Sequence, residues 1–162
     1  MCFSFQSVGD ALIEHGNVRR LMTDAGLSFW DHDYNYYGIT DPNGIPTGYS
    51  FNIPNDNTYP DGYAHIFSQH IYGVPLNTLS GIMQYEVIIF KSCFPASDIN
   101  SDQKLAAYQE YYLLIRDFTD QHTEKLFIAV TIPPLNPSST TPEIAARTRI
   151  FTEWLASEEY LS

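Results

Sequence analysis

Apolar and polar residues form two kinds of pattern along this chain, and the two kinds alternate. Continuous apolar runs of strand length lie within 85–91 and 125–131, which is typical of strands buried on both faces of a parallel sheet. Shorter runs at 2–5 and 27–30 predict two further strands, the first of them only the end of one. Between the runs, apolar residues recur at helical spacing, most clearly over 102–121.

Start and stop signals delimit the predicted helices. Gly26 is the expected C-cap of the first helix, and Ser101 is a suitable N-cap for the long one. Thr141 followed by Pro142 is typical of a helix start, because proline lacks the N–H that would be unpaired there. We therefore predict helices over about 7–24, 63–72, 76–84, 102–121 and from 142 onward.

The alternation of strands and helices predicts an α/β fold. We expect a three-layer α/β/α arrangement, a flavodoxin-like, doubly wound parallel sheet, within one domain spanning 1–162. The first strand lacks its N-terminal half and no strand follows the last helix. We therefore expect a fold that is incomplete at both ends.

Composition limits the partners of this chain. The net charge of −11 repels phosphate, so neither nucleic acid nor anionic lipid is an expected partner. No run approaches the ~20 apolar residues of a membrane span. Cys2 and Cys93 form no disulfide framework or zinc spacing. Without a glycine-rich phosphate loop, we expect no metal and no cofactor. Compartment and oligomeric state stay open.

A long irregular stretch occupies 31–60 and is rich in Asn, Asp, Gly, Pro and Tyr. The sequence Asp41-Pro42-Asn43-Gly44 is a strong turn signal. Loops of this length are more often functional than short ones. The stretch is compatible with a glycan or small-ligand surface, but its composition favours an ordinary packed loop.

Ser7 stands where the first strand gives way to a helix. Ligands of open α/β sheets bind beyond the carboxyl ends of the strands, so this hydroxyl is a candidate nucleophile. On position alone, an N-cap is the favoured interpretation of this serine.

The segment Phe3-Ser4-Phe5-Gln6-Ser7-Val8-Gly9-Asp10 resembles the first block of a subgroup of the SGNH (GDSL-type) hydrolases. Residues 87–95 are similar to the third strand of that family and its following loop, and the similarity continues through 125–135 and 145–149. The resemblance implies a serine ester hydrolase acting on a small-molecule ester or an acylated glycan, with Ser7 as nucleophile. Ser4 replaces the family's glycine and Phe5 its histidine.

The resemblance also implies an oxyanion hole. Cys93 stands where the family places an asparagine donor, and Ser92 is a possible substitute. The second donor would be the backbone N–H of Gly38, with Gly44 as the alternative. Both glycines could instead serve only to form turns.

The catalytic base is missing from its family position. The Asp-x-x-His stretch that the family keeps near its C-terminus does not occur, so the resemblance implies weak or no activity for this chain. His32, between Asp31 and Asp33, is the possible base. The alternative function is a non-catalytic module that binds a glycan or a protein.

Overall fold

The computed structural model describes residues 1–4 and 8–161. Its centre is a five-stranded sheet in the order β3-β2-β1-β4-β5, in which only β3 runs antiparallel to its neighbour. The strands are β1 Cys2–Ser4, β2 Trp30–His32, β3 Ile39–Thr40, β4 Val87–Lys91 and β5 Leu126–Val130.

Helices fill most of the connections between the strands. They are α1 Val8–Glu14, α2 Val18–Asp24, α3 Pro60–Phe67, α4 Thr78–Ile82, α5 Asp102–Asp120, α6 Pro142–Leu155 and α7 Glu158–Leu161. Short 3₁₀ helices occupy Pro54–Asp56, Phe94–Ser97 and Pro137–Ser139. None of the helices among the described residues has the length and apolar character needed to cross a bilayer.

Two hydrophobic clusters cover opposite faces of the sheet. The smaller joins Phe3 and Phe29 to Ile13 of α1. The larger is built around Phe90 and Tyr112 and draws on α3, α5 and α6. The predicted α/β fold with helices on both faces of a mostly parallel sheet is therefore confirmed.

The strand order creates a topological switch point between β1 and β4. The chain passes from β1 to β2 on one side, then returns across β1 to reach β4 on the other. The two connections diverge beyond the carboxyl ends of these two strands, and this is the edge at which open α/β sheets place their ligands.

Two predicted boundaries are wrong. The second strand is Trp30–His32 instead of 27–30, because Asp31 and His32 are buried and paired within the fold despite being polar. The first helix is two helices, since Asn17 adopts a left-handed conformation (φ 52°) that ends any continuous helix.

The predicted caps are confirmed. The Ser101 side chain accepts from the Lys104 N–H, and the Thr141 side chain accepts from the Ile144 N–H. Gly26 follows α2 with φ +78°, as a C-terminal glycine should. The second predicted helix, 63–72, begins earlier, at Pro60, and β3 lies inside the stretch predicted to be irregular.

Candidate functional site

Tyr63 holds the ends of β1 and β4 together at the switch point. Its hydroxyl donates to the Ser4 carbonyl at 3.4 Å and to the Lys91 carbonyl at 3.2 Å. The ring is fully buried and packs against Phe90, with centroids 5.1 Å apart. Burial raises the pKa of the Tyr63 hydroxyl, so it remains a donor. We call Ser4, Lys91, Ser92 and Cys93 the switch-point rim.

Lys91 is the last residue of β4 and is 1% exposed. Its Nζ donates to the Ser92 carbonyl at 3.1 Å, which brings the amine to the carboxyl end of the strand. Among the described residues, no Asp or Glu forms an ion pair with it. Burial lowers the pKa of Lys91, and the nearby Cys93 thiol opposes this effect.

Ser92 and Cys93, the predicted oxyanion-hole candidates, are both buried at the rim. The Ser92 hydroxyl has no hydrogen-bond partner within residues 1–4 and 8–161. The Tyr112 hydroxyl is close to it, but the positions of the two groups do not satisfy the geometry of a hydrogen bond. Cys93 precedes a 3₁₀ helix and its thiol is free. Ser92 is therefore a buried donor with unused capacity, which is unusual in a folded protein.

Ser7, the predicted nucleophile, lies outside the described residues. Its neighbours in sequence are described: β1 ends at Ser4 and α1 begins at Val8. Ser4 pairs with Phe90 of β4 on one side and with His32 of β2 on the other. β1 therefore ends between the strands that carry Lys91 and His32.

His32, the predicted base, is the last residue of β2 and is fully buried. The Phe51 N–H donates to its Nε2 at 3.3 Å, and the Ser50 hydroxyl is 3.1 Å from the same atom. Since Nε2 accepts, the proton of the neutral ring is on Nδ1. Burial lowers the pKa of His32 to about 4. In this conformation, His32 has no free lone pair with which to act as a base.

Gly38 is used in a turn. Its N–H donates to the Tyr34 carbonyl at 2.9 Å, and its φ of +69° is in the left-handed region. A Cβ at this position would overlap the Tyr49 carbonyl oxygen. Gly44 likewise donates to the Asp41 carbonyl at 2.9 Å. Neither glycine N–H is free to serve as an oxyanion donor here.

A cleft of about 740 Å³ opens between α1 and the segment that follows β2. We call it the acidic cleft because four carboxylates and a single arginine line it. Tyr36 and Tyr37 form its outer wall; they are 90% and 63% exposed, and their rings meet edge to face at 5.2 Å. The remaining lining residues are Asp10, Ile13, Glu14, Arg19, Asp31, Asp33, Thr40, Gly44 and Pro46.

Arg19, which lines the cleft, makes three contacts with other parts of the fold. Its guanidinium forms an ion pair with Asp31 of β2 and donates to the Asp41 carbonyl at 2.7 Å. It also lies 5.9 Å from the centre of the Phe29 ring. Burial raises the pKa of Asp31 to about 6, although Arg19 opposes the rise.

Asp33 contributes a carboxylate immediately after β2. Its Oδ1 is buried and unpartnered within the described part of the chain. Burial raises the pKa of Asp33, the backbone N–H of Tyr34 opposes the rise, and the charges of Asp10 and Asp56 add to it. The cleft is therefore a strongly negative environment with carboxylate oxygens available to accept hydrogen bonds.

The structure thus brings Lys91, Ser92 and Cys93 to one rim and leaves Gly38 and Gly44 in turns. Sequence reasoning missed Tyr63, whose role depends on long-range contacts, and Lys91, whose signal was a charged residue ending an apolar strand. Within residues 1–4 and 8–161, no group of three or more His, Cys, Asp or Glu side chains could hold a metal ion.

Comparison of the chain with models of protein families, with curated proteins and with solved structures found no match in any of the three.

Proposed function

We propose that this protein is a serine ester hydrolase of the SGNH type that acts on an acylated glycan, with Ser7 as nucleophile. The observation that carries the proposal is the switch-point rim. Ser7 follows β1 in the sequence, and β1 pairs with β4, whose carboxyl end carries Lys91 and leads into Ser92 and Cys93. Open α/β sheets bind ligands beyond such strand ends.

The oxyanion of the tetrahedral intermediate needs hydrogen-bond donors that are fixed before the reaction. Ser92 supports this role because its hydroxyl is buried and unpartnered within the described residues. Cys93 contributes a thiol, which is a weak donor. We therefore assign the oxyanion contact to Ser92 and not to Gly38, whose N–H is engaged by Tyr34.

The lining of the acidic cleft supports a sugar as the alcohol part of the ester. Carboxylate oxygens of Asp10 and Asp33 accept hydrogen bonds from hydroxyl groups, and exposed tyrosine rings such as Tyr36 offer flat apolar faces. The negative charge disfavours anionic substrates. A volume of about 740 Å³ is within the range of small-molecule sites.

A fluorophosphonate probe tests the nucleophile directly, because it labels activated serines covalently. We expect the chain to be labelled, Ser7→Ala to abolish labelling, and Ser28→Ala to leave it unchanged. Ser28 is a suitable control because it is exposed and precedes β2, at the opposite end of that strand. Absence of labelling, or labelling that persists in Ser7→Ala, would contradict the proposal.

Substrate class can be tested by comparing the hydrolysis of acetylated oligosaccharides with that of long-chain lipid esters. We expect release of acetate from acetylated oligosaccharides, with little activity on long-chain lipid esters. Tyr36→Ala should raise KM for the oligosaccharide with little effect on kcat, because the ring contacts the bound sugar away from the reacting atoms. Equal activity on lipid esters would contradict the glycan assignment.

A second candidate function is a glycan-binding module without catalysis. The observation that favours it is the engagement of His32 Nε2 by the Phe51 N–H, which leaves that histidine unable to take a proton. If this function is correct, calorimetry should detect oligosaccharide binding by both the wild type and Ser7→Ala. Binding should be lost in Tyr36→Ala and in Tyr37→Ala. Neither the wild type nor Ser7→Ala should hydrolyse an ester.

A further inference from the structure

A second cavity, of about 470 Å³, lies on the other face of the sheet edge that carries the acidic cleft. Trp30 and Ile39 line it, whereas the next residues along β2 and β3, Asp31 and Thr40, line the acidic cleft. Because successive side chains of a strand point to opposite faces of the sheet, the strands themselves separate the two cavities. The second cavity is therefore a site distinct from the acidic cleft.

Four aromatic residues line this cavity, which we call the aromatic cavity: Trp30, Tyr49, Phe51 and Tyr85. The Trp30 and Tyr85 rings are 6.2 Å apart and inclined at 56°. The Phe51 ring meets Tyr85 on one side and Tyr49 on the other, edge to face and with centroids 6.3 Å apart in each pair. Because neighbouring rings are inclined to one another, a flat ring in the cavity can stack on one of them and meet the edge of the next. These are the two arrangements that aromatic rings prefer.

Phe51 is fixed in place by contacts with β2 and α4. Its N–H donates to His32 Nε2 at 3.3 Å, and its ring stacks on the His32 ring with centroids 5.0 Å apart. Its carbonyl accepts from the Thr78 hydroxyl at 3.0 Å. A Cβ at Gly81 would lie 2.8 Å from the Phe51 ring, so α4 approaches that ring as closely as only a glycine permits. The aromatic wall is therefore formed before any ligand binds, as in most small-molecule sites.

The aromatic cavity is uncharged although the chain carries a net charge of −11. Among the described residues, ten line it, and none of these is Asp, Glu, Lys, Arg or His. The Gln84 Nε2 donates to the Ser80 carbonyl at 3.1 Å, and no described residue donates to the Gln84 Oε1. The Trp30 Nε1–H and the Tyr85 hydroxyl likewise have no hydrogen-bond partner in the described part of the chain. The cavity thus combines apolar walls with a few unused polar groups, none of which neutralises a charged ligand.

We propose that the aromatic cavity binds an uncharged aromatic small molecule that carries a hydroxyl or an arylamine N–H. The ligand ring packs against Trp30, Phe51 and Tyr85, and its O–H or N–H donates to the Gln84 Oε1. A volume of about 470 Å³ is within the range of small-molecule sites. A stable protein interface takes about 20–30 residues on each side, more than this cavity offers. The inference does not depend on Ser7 or on the proposed function.

Tryptophan fluorescence provides the test. The two tryptophans of the chain are Trp30 and Trp154, and Trp154 lies in the core against Tyr160, with ring centroids 4.8 Å apart. In Trp154→Phe, all tryptophan emission therefore comes from the aromatic cavity. The probe is N-phenyl-1-naphthylamine, an uncharged arylamine that absorbs where tryptophan emits. We expect it to quench Trp30 saturably, with one probe bound per chain. Anilinonaphthalene sulfonate, which adds an anionic group to the same rings, should bind at least about tenfold more weakly.

Variants made in the Trp154→Phe protein locate the bound probe. Leu76 lines the cavity and is 71% exposed, so Leu76→Arg places a charge at the mouth and should weaken binding at least about tenfold. Val74→Arg is the matched control, because Val74 is 97% exposed, two residues away and not part of the lining; it should bind as tightly as the parent protein. Gln84→Leu removes the proposed acceptor and should weaken binding about three- to tenfold.

Four results would overturn the inference. Absence of quenching means that the cavity does not take the ligand class. Equal affinity of Leu76→Arg and Val74→Arg places the probe elsewhere. Displacement of the probe by decanol as readily as by 2-naphthol means that any apolar chain fills the cavity. A change of Trp30 emission with protein concentration alone shows that a second copy of the chain covers the cavity. Thermal unfolding confirms that each variant is folded.

Discussion

The Tyr63 hydroxyl donates to the Lys91 carbonyl oxygen at 3.2 Å and thereby fixes the end of β4 beneath the candidate site. The same hydroxyl reaches the Ser4 carbonyl. These carbonyls lie at the ends of two paired strands whose following connections diverge, so one phenol from α3 stabilises both sides of the switch point.

Removing that hydroxyl gives the first prediction. Tyr63→Phe keeps the packing of the ring but leaves two buried carbonyls with one donor fewer, so we expect a loss of about 1–3 kcal/mol in the free energy of unfolding. Urea denaturation measures the loss. Tyr36→Phe is the control, because the Tyr36 side chain is 90% exposed. Equal stability of Tyr63→Phe and the wild type would contradict the role given to Tyr63.

The buried ion pair between Arg19 and Asp31 gives the second prediction. Arg19→Met leaves the Asp31 carboxylate buried and uncompensated, and we expect destabilisation of about 3–5 kcal/mol. Arg20→Met removes the neighbouring pair with Asp24, in which both side chains are more than 60% exposed, and should cost less than about 1 kcal/mol. Chemical denaturation of the two variants at pH 7 makes the comparison; similar losses would contradict it.

Acid sensitivity provides the third prediction, through His32. Burial lowers the pKa of His32 from 6.5 to about 4, so between these pH values the unfolded chain binds a proton that the folded chain does not. The contribution of His32 to stability therefore rises with pH over this window, by up to roughly 3 kcal/mol.

The comparison that isolates this effect is between the wild type and His32→Gln, measured at several pH values from 4 to 7. Asp31 acts in the opposite direction over part of this range, since the pKa of Asp31 is raised to about 6, and its contribution is common to both proteins. The stability of the wild type should fall more steeply on acidification than that of the variant. Parallel curves would show that His32 titrates normally.

Gly38 provides the fourth prediction. Gly38→Ala introduces a Cβ that overlaps the Tyr49 carbonyl and adopts a strained φ, whereas Gly48→Ala is strained (φ +73°) but meets no atom within 4 Å. We expect about 1–2 kcal/mol of destabilisation for Gly48→Ala from the left-handed backbone alone, and clearly more for Gly38→Ala. Thermal unfolding under identical conditions distinguishes the two. Equal effects would indicate that the turn adjusts freely.

The sequence predicts the central elements well because their signals are local. β4 is a continuous apolar run, and α5 and α6 begin at side-chain caps that the residues themselves provide. The boundaries of β2 are different. Asp31 and His32 look like loop residues, and only the distant Arg19 and Phe51 make their burial possible.

The candidate site likewise has features that the local sequence predicts and features that it does not. The position of Lys91, Ser92 and Cys93 at a strand end follows from the apolar run before them. The burial of the Lys91 amine without an acidic partner among the described residues does not follow from that run. It depends on helices and strands brought together from across the chain. Similarly, the turn role of Gly38 requires Tyr49, eleven residues later in the sequence.

The three contacts of Arg19 have a consequence for recognition. One guanidinium joins α2, β2 and the Asp41 turn, so the wall that carries Tyr36 cannot move away from the helices without breaking a buried ion pair. The cleft is therefore preorganised, and a ligand entering it loses little affinity to ordering of the backbone. We expect selectivity between sugars to depend on shape and hydroxyl stereochemistry more than on induced closure.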